Sequence, residues 1–252
     1  MKKVGNGFIN RKGEKHLSNR GYWATIIEYF SKRNCTVQFE DGTIIKGLQY
    51  GNIKKGQIKN PCHPSIYGVG YDGIGKYTTT RNGKNTKEYV VWKGMIERCY
   101  SVEYKKKRHN YTECSVIVAW HNFQNYAQWY ENNYKENFEA DKDILIKGNK
   151  IYSPETCCFV PQEINTLFTK SNKTRGELPI GVRITKQQRY QARISKGIYS
   201  KCIGTFHTIE EAFQAYKIAK EEYIKEMADK WRGQITEPCY EAMYAYEVEI
   251  TD

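Results

Sequence analysis

The chain has 252 residues, with 40 Lys and Arg against 28 Asp and Glu, so its formal net charge at pH 7 is +12. Aromatic side chains make up 14 % of the residues, which excludes a disordered polyelectrolyte and predicts folded domains. No apolar run approaches the ~18 residues of a membrane span, and the first residues lack the apolar stretch of a secretory signal. We therefore expect a cytoplasmic protein whose eight scattered cysteines are mostly reduced.

The excess of positive charge predicts a polyanionic partner, most often a nucleic acid, although a basic surface without a binding role is the alternative. Residues 1–60 contain 12 basic and four acidic residues. Within them, 36–39 and 43–47 read as short strands joined by a turn at 40–42. We therefore expect a small basic β module over residues 1–62.

Two amphipathic helices are predicted in the middle of the chain. Apolar side chains recur every three or four positions over 88–100 and again over 119–134, and such stripes usually pack into a core. Between the two helices, residues 105–109 form a basic run. This run suits either phosphate contacts or an exposed loop.

The segment 141–161 carries a group of oxygen-bearing side chains. Short apolar runs at 144–146 and 151–152 flank a turn at 147–150, and a Ser-Pro pair at 153–154 suits the start of a helix or turn. We expect a hairpin followed by a helix, with Asp141, Asp143 and Asn149 close to the hairpin. Their oxygens are of the type that binds Mg²⁺. The alternative is that they cap turns or pair with lysines.

This arrangement resembles the ββα-metal fold of phage-type HNH endonucleases. The residues that carry the likeness are 92–100 (WKGMIERCY), 120–123 (WHNF), 141–145 (DKDIL) and 152–157 (YSPETC). The resemblance implies DNA cleavage or nicking with Mg²⁺ or Mn²⁺, and catalytic and metal-binding roles for Asp141, Asp143 and Asn149. The family's general-base histidine is not matched, because Lys142 and Asp143 stand at that position. Two hypotheses follow: a metal-dependent nuclease, or a DNA-binding site that does not cut and needs no cofactor.

The C-terminal part contains three strand-like runs, at 181–184, 190–194 and 200–204, followed by a helical pattern over 209–231 with Thr208 as N-cap. Strand alternation places Ala192 and Ile194 toward the helix, and Arg189, Gln191 and Arg193 on the opposite face. Guanidinium groups pair with guanine in the major groove, and a glutamine amide pairs with adenine. A polar face that meets only water is the alternative.

The same part is similar to AP2/ERF-type DNA-binding domains, through 181–183 (GVR), 190–194 (YQARI), 203–206 (IGTF) and 208–212 (TIEEA). The resemblance implies a three-stranded antiparallel sheet that reads duplex DNA. Cys202 stands where many plant members carry tryptophan. The DNA-binding residues expected from the face and the resemblance are Arg183, Lys186, Arg189, Gln191, Arg193, Lys196 and Lys201, with Lys186 and Lys196 as phosphate contacts.

We thus expect an α+β protein that binds double-stranded DNA, of a lineage found in phage and mobile-element homing endonucleases, acting in the host cytoplasm and without a membrane. A non-catalytic regulator of the same origin is the second hypothesis; an RNA-binding or purely protein-binding module fits the charge but not the C-terminal pattern. The expected parts are the β module (1–62), an HNH-like ββα region with flanking helices (63–170), a linker (171–178), the AP2/ERF-like domain (179–235) and an acidic tail (236–252). We expect this tail to be solvated; the alternative is that it lies against a basic surface.

Overall fold

A computed structural model describes residues 3–4, 8–169, 178–197 and 199–252, so the expected linker lies outside the described residues except for Leu178. The fold mixes helices with mainly antiparallel sheets. Among the described residues, no helix combines the length and apolar character that crossing a membrane requires. The strands are β1 Lys3–Val4, β2 Phe8–Ile9, β3 Lys15–Leu17, β4 Trp23–Ser31, β5 Asn34–Phe39, β6 Ile44–Leu48, β7 Thr80–Arg81, β8 Lys84–Asn85, β9 Ser115–Val116, β10 Phe138–Asp141, β11 Ile151–Tyr152, β12 Cys158–Pro161, β13 Val182–Ile184, β14 Tyr190–Lys196 and β15 Tyr199–Phe206. The helices are α1 Tyr50–Lys54, α2 Lys87–Tyr100, α3 Val102–Lys107, α4 Phe123–Asn133, α5 Gln162–Leu167, α6 Ile209–Lys230 and α7 Glu237–Tyr244, with 3-10 turns at His109–Tyr111 and Val118–His121.

The N-terminal unit is an antiparallel meander of four strands in the order β3-β4-β5-β6. The predicted hairpin is present as β5 and β6, inside this larger sheet. Ile26 and Val37 lie opposite each other and are fully buried, together with Ile53 of α1. Alternation along β4 and β5 therefore forms one apolar face, which α1 helps to cover.

The two predicted central helices are present as α2 and α4, and they pack through aromatic side chains. The rings of Trp92 and Phe123 are 5.4 Å apart, and the indole of Trp92 donates a hydrogen bond to the carbonyl oxygen of Trp120 at 2.7 Å. The second helix begins later than predicted, because Asn122 accepts a hydrogen bond from the amide of Gln124 and acts as its N-cap.

The predicted hairpin between 144–146 and 151–152 is wrong. β10 pairs with β12, with Asp141 opposite Cys158, and β11 pairs in parallel with β9. The physical reason is local: the Asp141 carboxylate accepts the amides of Asp143 and Ile144, at 2.7 and 2.9 Å, and turns the chain out of the strand. A turn replaces the helix start expected at 153, and α5 begins only at Gln162.

The C-terminal sheet has the predicted antiparallel order β13-β14-β15, and α6 packs against one of its faces. Val182 and Ala192 are paired across the sheet and belong to the same core as residues of α6, and Ile194 is buried as well. Thr208 caps α6 in a reciprocal capping box with Glu211. The helix thus covers one face of the sheet.

The expectation of a solvated acidic tail is wrong. Residues 237–244 form α7, whose Cys239 and Met243 are buried in the same core as α6, and Val248 beyond it is buried as well. Lys147 donates a hydrogen bond to Asp252 at 2.9 Å, which compensates the buried carboxylate. Ile144, Cys158, Val160 and Ile164 belong to this core too, so the predicted boundary near residue 170 does not separate two cores.

Candidate nucleic-acid interface

The outward face of the C-terminal sheet carries the predicted arginines. Arg183 lies opposite Gln191 in the strand register, and both point away from the face that Ala192 and Ile194 bury. Between residues 178 and 208 the sequence contains six Lys and Arg and no acid. The described residues of this face carry three arginines and no acidic side chain; we call it the arginine face, and it consists of Arg183, Arg189, Gln191, Arg193, Ser200, Cys202 and Thr205.

The guanidinium groups of the arginine face are held by neutral acceptors. Gln191 Oε1 accepts hydrogen bonds from Arg183 Nε at 2.8 Å and from Arg193 Nη1 at 3.4 Å. Arg193 also donates to the hydroxyl and the carbonyl oxygen of Ser200, at 3.2 and 3.1 Å. Arg189 Nε donates to the carbonyl oxygen of Phe206 at 3.2 Å. Among the described residues no carboxylate forms an ion pair with these arginines, so their charge is available to an anionic ligand.

The structure does not bring the predicted lysines to the same face. Lys196 pairs with Glu226 of α6 at 2.6 Å and lies over the Tyr223 ring. Lys201 lies opposite Ile194, whose side chain is buried, so it belongs to the helix side of the sheet. Lys186 is exposed in the turn between β13 and β14, at one end of the arginine face.

The second candidate site is the loop between β10 and β11, where the structure brings Asp141, Asp143 and Asn149 together. The Asn149 amide closes the loop, since it donates to the carbonyl oxygens of Lys142 and Ile151 at 2.9 and 2.6 Å. Lys142 Nζ donates to Asp143 Oδ1 at 2.5 Å and to the carbonyl oxygen of Asn149 at 2.9 Å. The side chain of Lys142 is only 9 % exposed.

The donor set of this loop does not fit a divalent metal. The ammonium group of Lys142 lies between the Asp143 carboxylate and the Asn149 carbonyl oxygen. A metal ion in this loop would need these two oxygens as ligands. Asp141 uses Oδ1 to accept two backbone amides, and burial raises the pKa of its carboxyl group. No group of three or more His, Cys, Asp or Glu within the described ranges is arranged to hold a metal ion.

Among the described residues, neither His109 nor His121 is hydrogen-bonded to this loop. His121 Nε2 lies 3.0 Å from the Tyr100 hydroxyl, and His109 starts a short 3-10 turn. The described structure contains no hydrogen bond from either ring to Asp141, Asp143 or Asn149. The cysteines are free, and burial raises the pKa of Cys157 to about 12, so this thiol is not a ready ligand or nucleophile.

Sequence reasoning missed Arg98. Its Nε donates to the Tyr152 hydroxyl at 3.3 Å, and its guanidinium lies 5.7 Å from the centre of that ring. Lys142 lies 5.8 Å from the centre of the same ring, so two cations lie close to one tyrosine next to the loop. The signal in the sequence that could have identified Arg98 is its place within the amphipathic pattern of α2, where it is half-buried.

Comparison with protein-family models, with curated proteins and with solved structures found no match.

Proposed function

We propose that this protein binds double-stranded DNA through the arginine face of its C-terminal sheet. The observation that carries the proposal is a sheet face with one exposed and two half-buried arginines, none of them paired with a carboxylate among the described residues. Guanidinium groups bind phosphates and pair bidentately with guanine in the major groove. The resemblance of residues 179–212 to AP2/ERF-type domains supports the same assignment.

The geometry of the sheet suits a duplex better than a structured RNA. A narrow β-ribbon enters the major groove of B-DNA, whereas the major groove of A-form RNA is too deep and narrow for side chains to read. Because α6 covers the opposite face, only the arginine face is free for such contact. We therefore expect unlabelled duplex DNA to displace a bound, labelled DNA duplex. An RNA duplex of the same sequence should displace it poorly.

For residues 141–149 we propose the non-catalytic hypothesis. The resemblance to HNH endonucleases supports a nuclease lineage, but the Lys142 ammonium takes the place that a divalent ion would occupy between the donors. A cation covalently tied to the chain supplies charge without polarising a water molecule as a metal does. The protein then acts as a DNA-binding regulator, or as a competitor for sites of other DNA-binding proteins.

Binding is tested by titrating the full chain against a labelled duplex over a range of salt concentrations. Each neutralised phosphate adds about −0.9 to the slope of log K against log salt, so affinity must fall steeply as salt rises. A flat response, or equal affinity for neutral polymers, would contradict the proposal.

Cleavage is tested on supercoiled plasmid with Mg²⁺ or Mn²⁺, using the wild type beside a double variant, Asp143→Ala with Asn149→Ala. We expect the plasmid to remain supercoiled with both proteins while duplex binding persists. Nicking by the wild type that the double variant lacks would establish the catalytic hypothesis instead.

A further inference from the structure

The amide oxygen of Gln191 is already used within the arginine face. Its two partners, Arg183 Nε and Arg193 Nη1, are both donors, so the atom that faces them is the oxygen and not the nitrogen. A glutamine that reads adenine needs this oxygen to accept from the adenine amino group while its nitrogen donates to the ring. Because the oxygen has two lone pairs and both are occupied, reading adenine would displace at least one of the two arginines.

We propose that Gln191 is a positioning residue, which holds Arg183 and Arg193 as a pair that recognises two guanines in duplex DNA. This inference rests on the proposed function and adds the bases that the arginine face recognises. It replaces the sequence-based expectation that the Gln191 amide contacts adenine.

The spacing of the two guanidinium groups limits where the guanines lie. Two nitrogens that share one oxygen at these distances are within about 6 Å of each other. Base pairs in B-DNA are stacked about 3.4 Å apart. The two guanines are therefore expected in adjacent base pairs or in base pairs separated by one other.

The contacts of Arg193 explain why its planar group has a defined direction. Ser200 accepts from Nε and Nη2 on one side, and Gln191 accepts from Nη1 on the other. An exposed arginine without such partners loses conformational entropy when it binds a base. Orientation before binding favours the bidentate geometry that distinguishes guanine, whereas contact with a phosphate requires only charge.

The experiment selects duplexes from a randomised pool with the wild type, Gln191→Ala, Gln191→Glu and the matched control Gln187→Ala, whose side chain is exposed in the β13–β14 turn. Selected guanines are then replaced one at a time by 7-deazaguanine, which lacks the N7 acceptor. For the wild type we expect two guanines within three base pairs, each discriminated roughly 5- to 150-fold.

Gln191→Ala should flatten the preference at both guanines and leave binding to non-selected duplex within about twofold, since the positive charge is unchanged. Gln191→Glu retains an acceptor for the arginines and should restore the guanine preference, with weaker binding overall. Arg193→Lys, which keeps the charge but not the planar fork, should lose the preference at one of the two guanines.

Three results would overturn the inference. The first is that Gln191→Ala has the same base preference as Gln187→Ala. The second is that Gln191→Ala loses preference at a single A·T pair while both guanines remain selected. The third is that the wild type binds duplexes without any base preference. The last result leaves the proposed DNA binding intact, whereas a wild type that binds no duplex at all refutes the proposed function as well.

Discussion

Gly181, at the entrance to β13, lies directly against the ring of Tyr216 on α6. A Cβ at this position would come within 2.0 Å of Tyr216 Cδ2, and the backbone there has φ +76°. The carbonyl oxygen of Gly181 also accepts the amide of Arg193 at 2.8 Å. The residue that allows the sheet to approach the helix closely therefore also holds the backbone of Arg193, which belongs to the proposed interface.

We expect Gly181→Ala to lower the free energy of unfolding by about 2–5 kcal/mol, from left-handed backbone strain plus overpacking. Chemical denaturation measures this value. Gly197→Ala is the matched control, because Gly197 also has a positive φ but a Cβ there meets nothing within 4 Å; it should cost about 1–2 kcal/mol. Equal losses for the two variants would show that contact with Tyr216 contributes nothing.

Arg193→Ala should weaken binding to the preferred duplex by about 1–3 kcal/mol and relax the preference at one position. The control is Lys196→Gln, since Lys196 pairs with Glu226 on the helix side and should leave sequence preference unchanged. Fluorescence anisotropy at fixed salt provides the measurement. An equal loss on all sequences for Arg193→Ala would mean that this arginine contacts only phosphate.

Lys142→Ala should make the stability of the protein respond to divalent cations. Removing the ammonium leaves the Asp143 carboxylate and the Asn149 carbonyl oxygen without their shared donor, which should cost about 1–3 kcal/mol. Thermal unfolding with and without Mn²⁺ should give the same Tm for the wild type and a higher Tm with Mn²⁺ for the variant. Stabilisation of the wild type by Mn²⁺ to the same extent would contradict the assigned role of Lys142.

Lys220 predicts a pH dependence of stability. It faces a small cavity lined by residues that include Leu167, Phe168 and Tyr246, and burial lowers its pKa from 10.5 to about 8. Between these two pKa values the unfolded chain binds more protons than the folded one, so the free energy of unfolding rises with pH in that range. Below about pH 8 the buried charge is fully present, and its cost to the folded state is greatest.

Lys220→Met should therefore raise stability at pH 7 by about 1 kcal/mol, or ~2–4 °C in Tm. The gain should shrink as the pH approaches 10.5. Lys225→Met, at an exposed position of the same helix, is the control and should show no such trend. Calorimetry over this pH range measures both variants; a gain that does not vary with pH would rule out the titration of Lys220 as its cause.

Local sequence patterns were sufficient for several elements. α6 follows from apolar residues three or four positions apart and from Thr208 as N-cap, and both depend only on neighbours along the helix. Alternation over 189–194 was also sufficient to separate Gln191 and Arg193 from Ala192 and Ile194. The same alternation assigns Lys196 to the helix side; its expected phosphate role came from the family resemblance instead.

The face of the sheet on which Lys201 lies could not be predicted from the alternation of residues along a strand. The register of β14 with β15 shifts between Ala192 and Arg193, and such a bulge changes which residues of the partner strand share a face. The pairing of Gln191 with two arginines likewise requires β13 and β14 to be adjacent, which no local pattern specifies.

The amino-acid sequence by itself determined the basic character of the chain, the helices with a clear apolar period and the arginine-bearing face of β14, because charge and periodicity are properties of neighbouring residues. Only the tertiary structure decided that Lys142 occupies the place between the oxygen donors, that β10 pairs with β12, and that the acidic segment after residue 236 is packed against α6. The strand pairing and the packing of the acidic segment join residues far apart in the chain, whereas Lys142 lies within seven residues of both its partners. In each case the stability comes from burial and from compensation of charge, which depend on the folded environment.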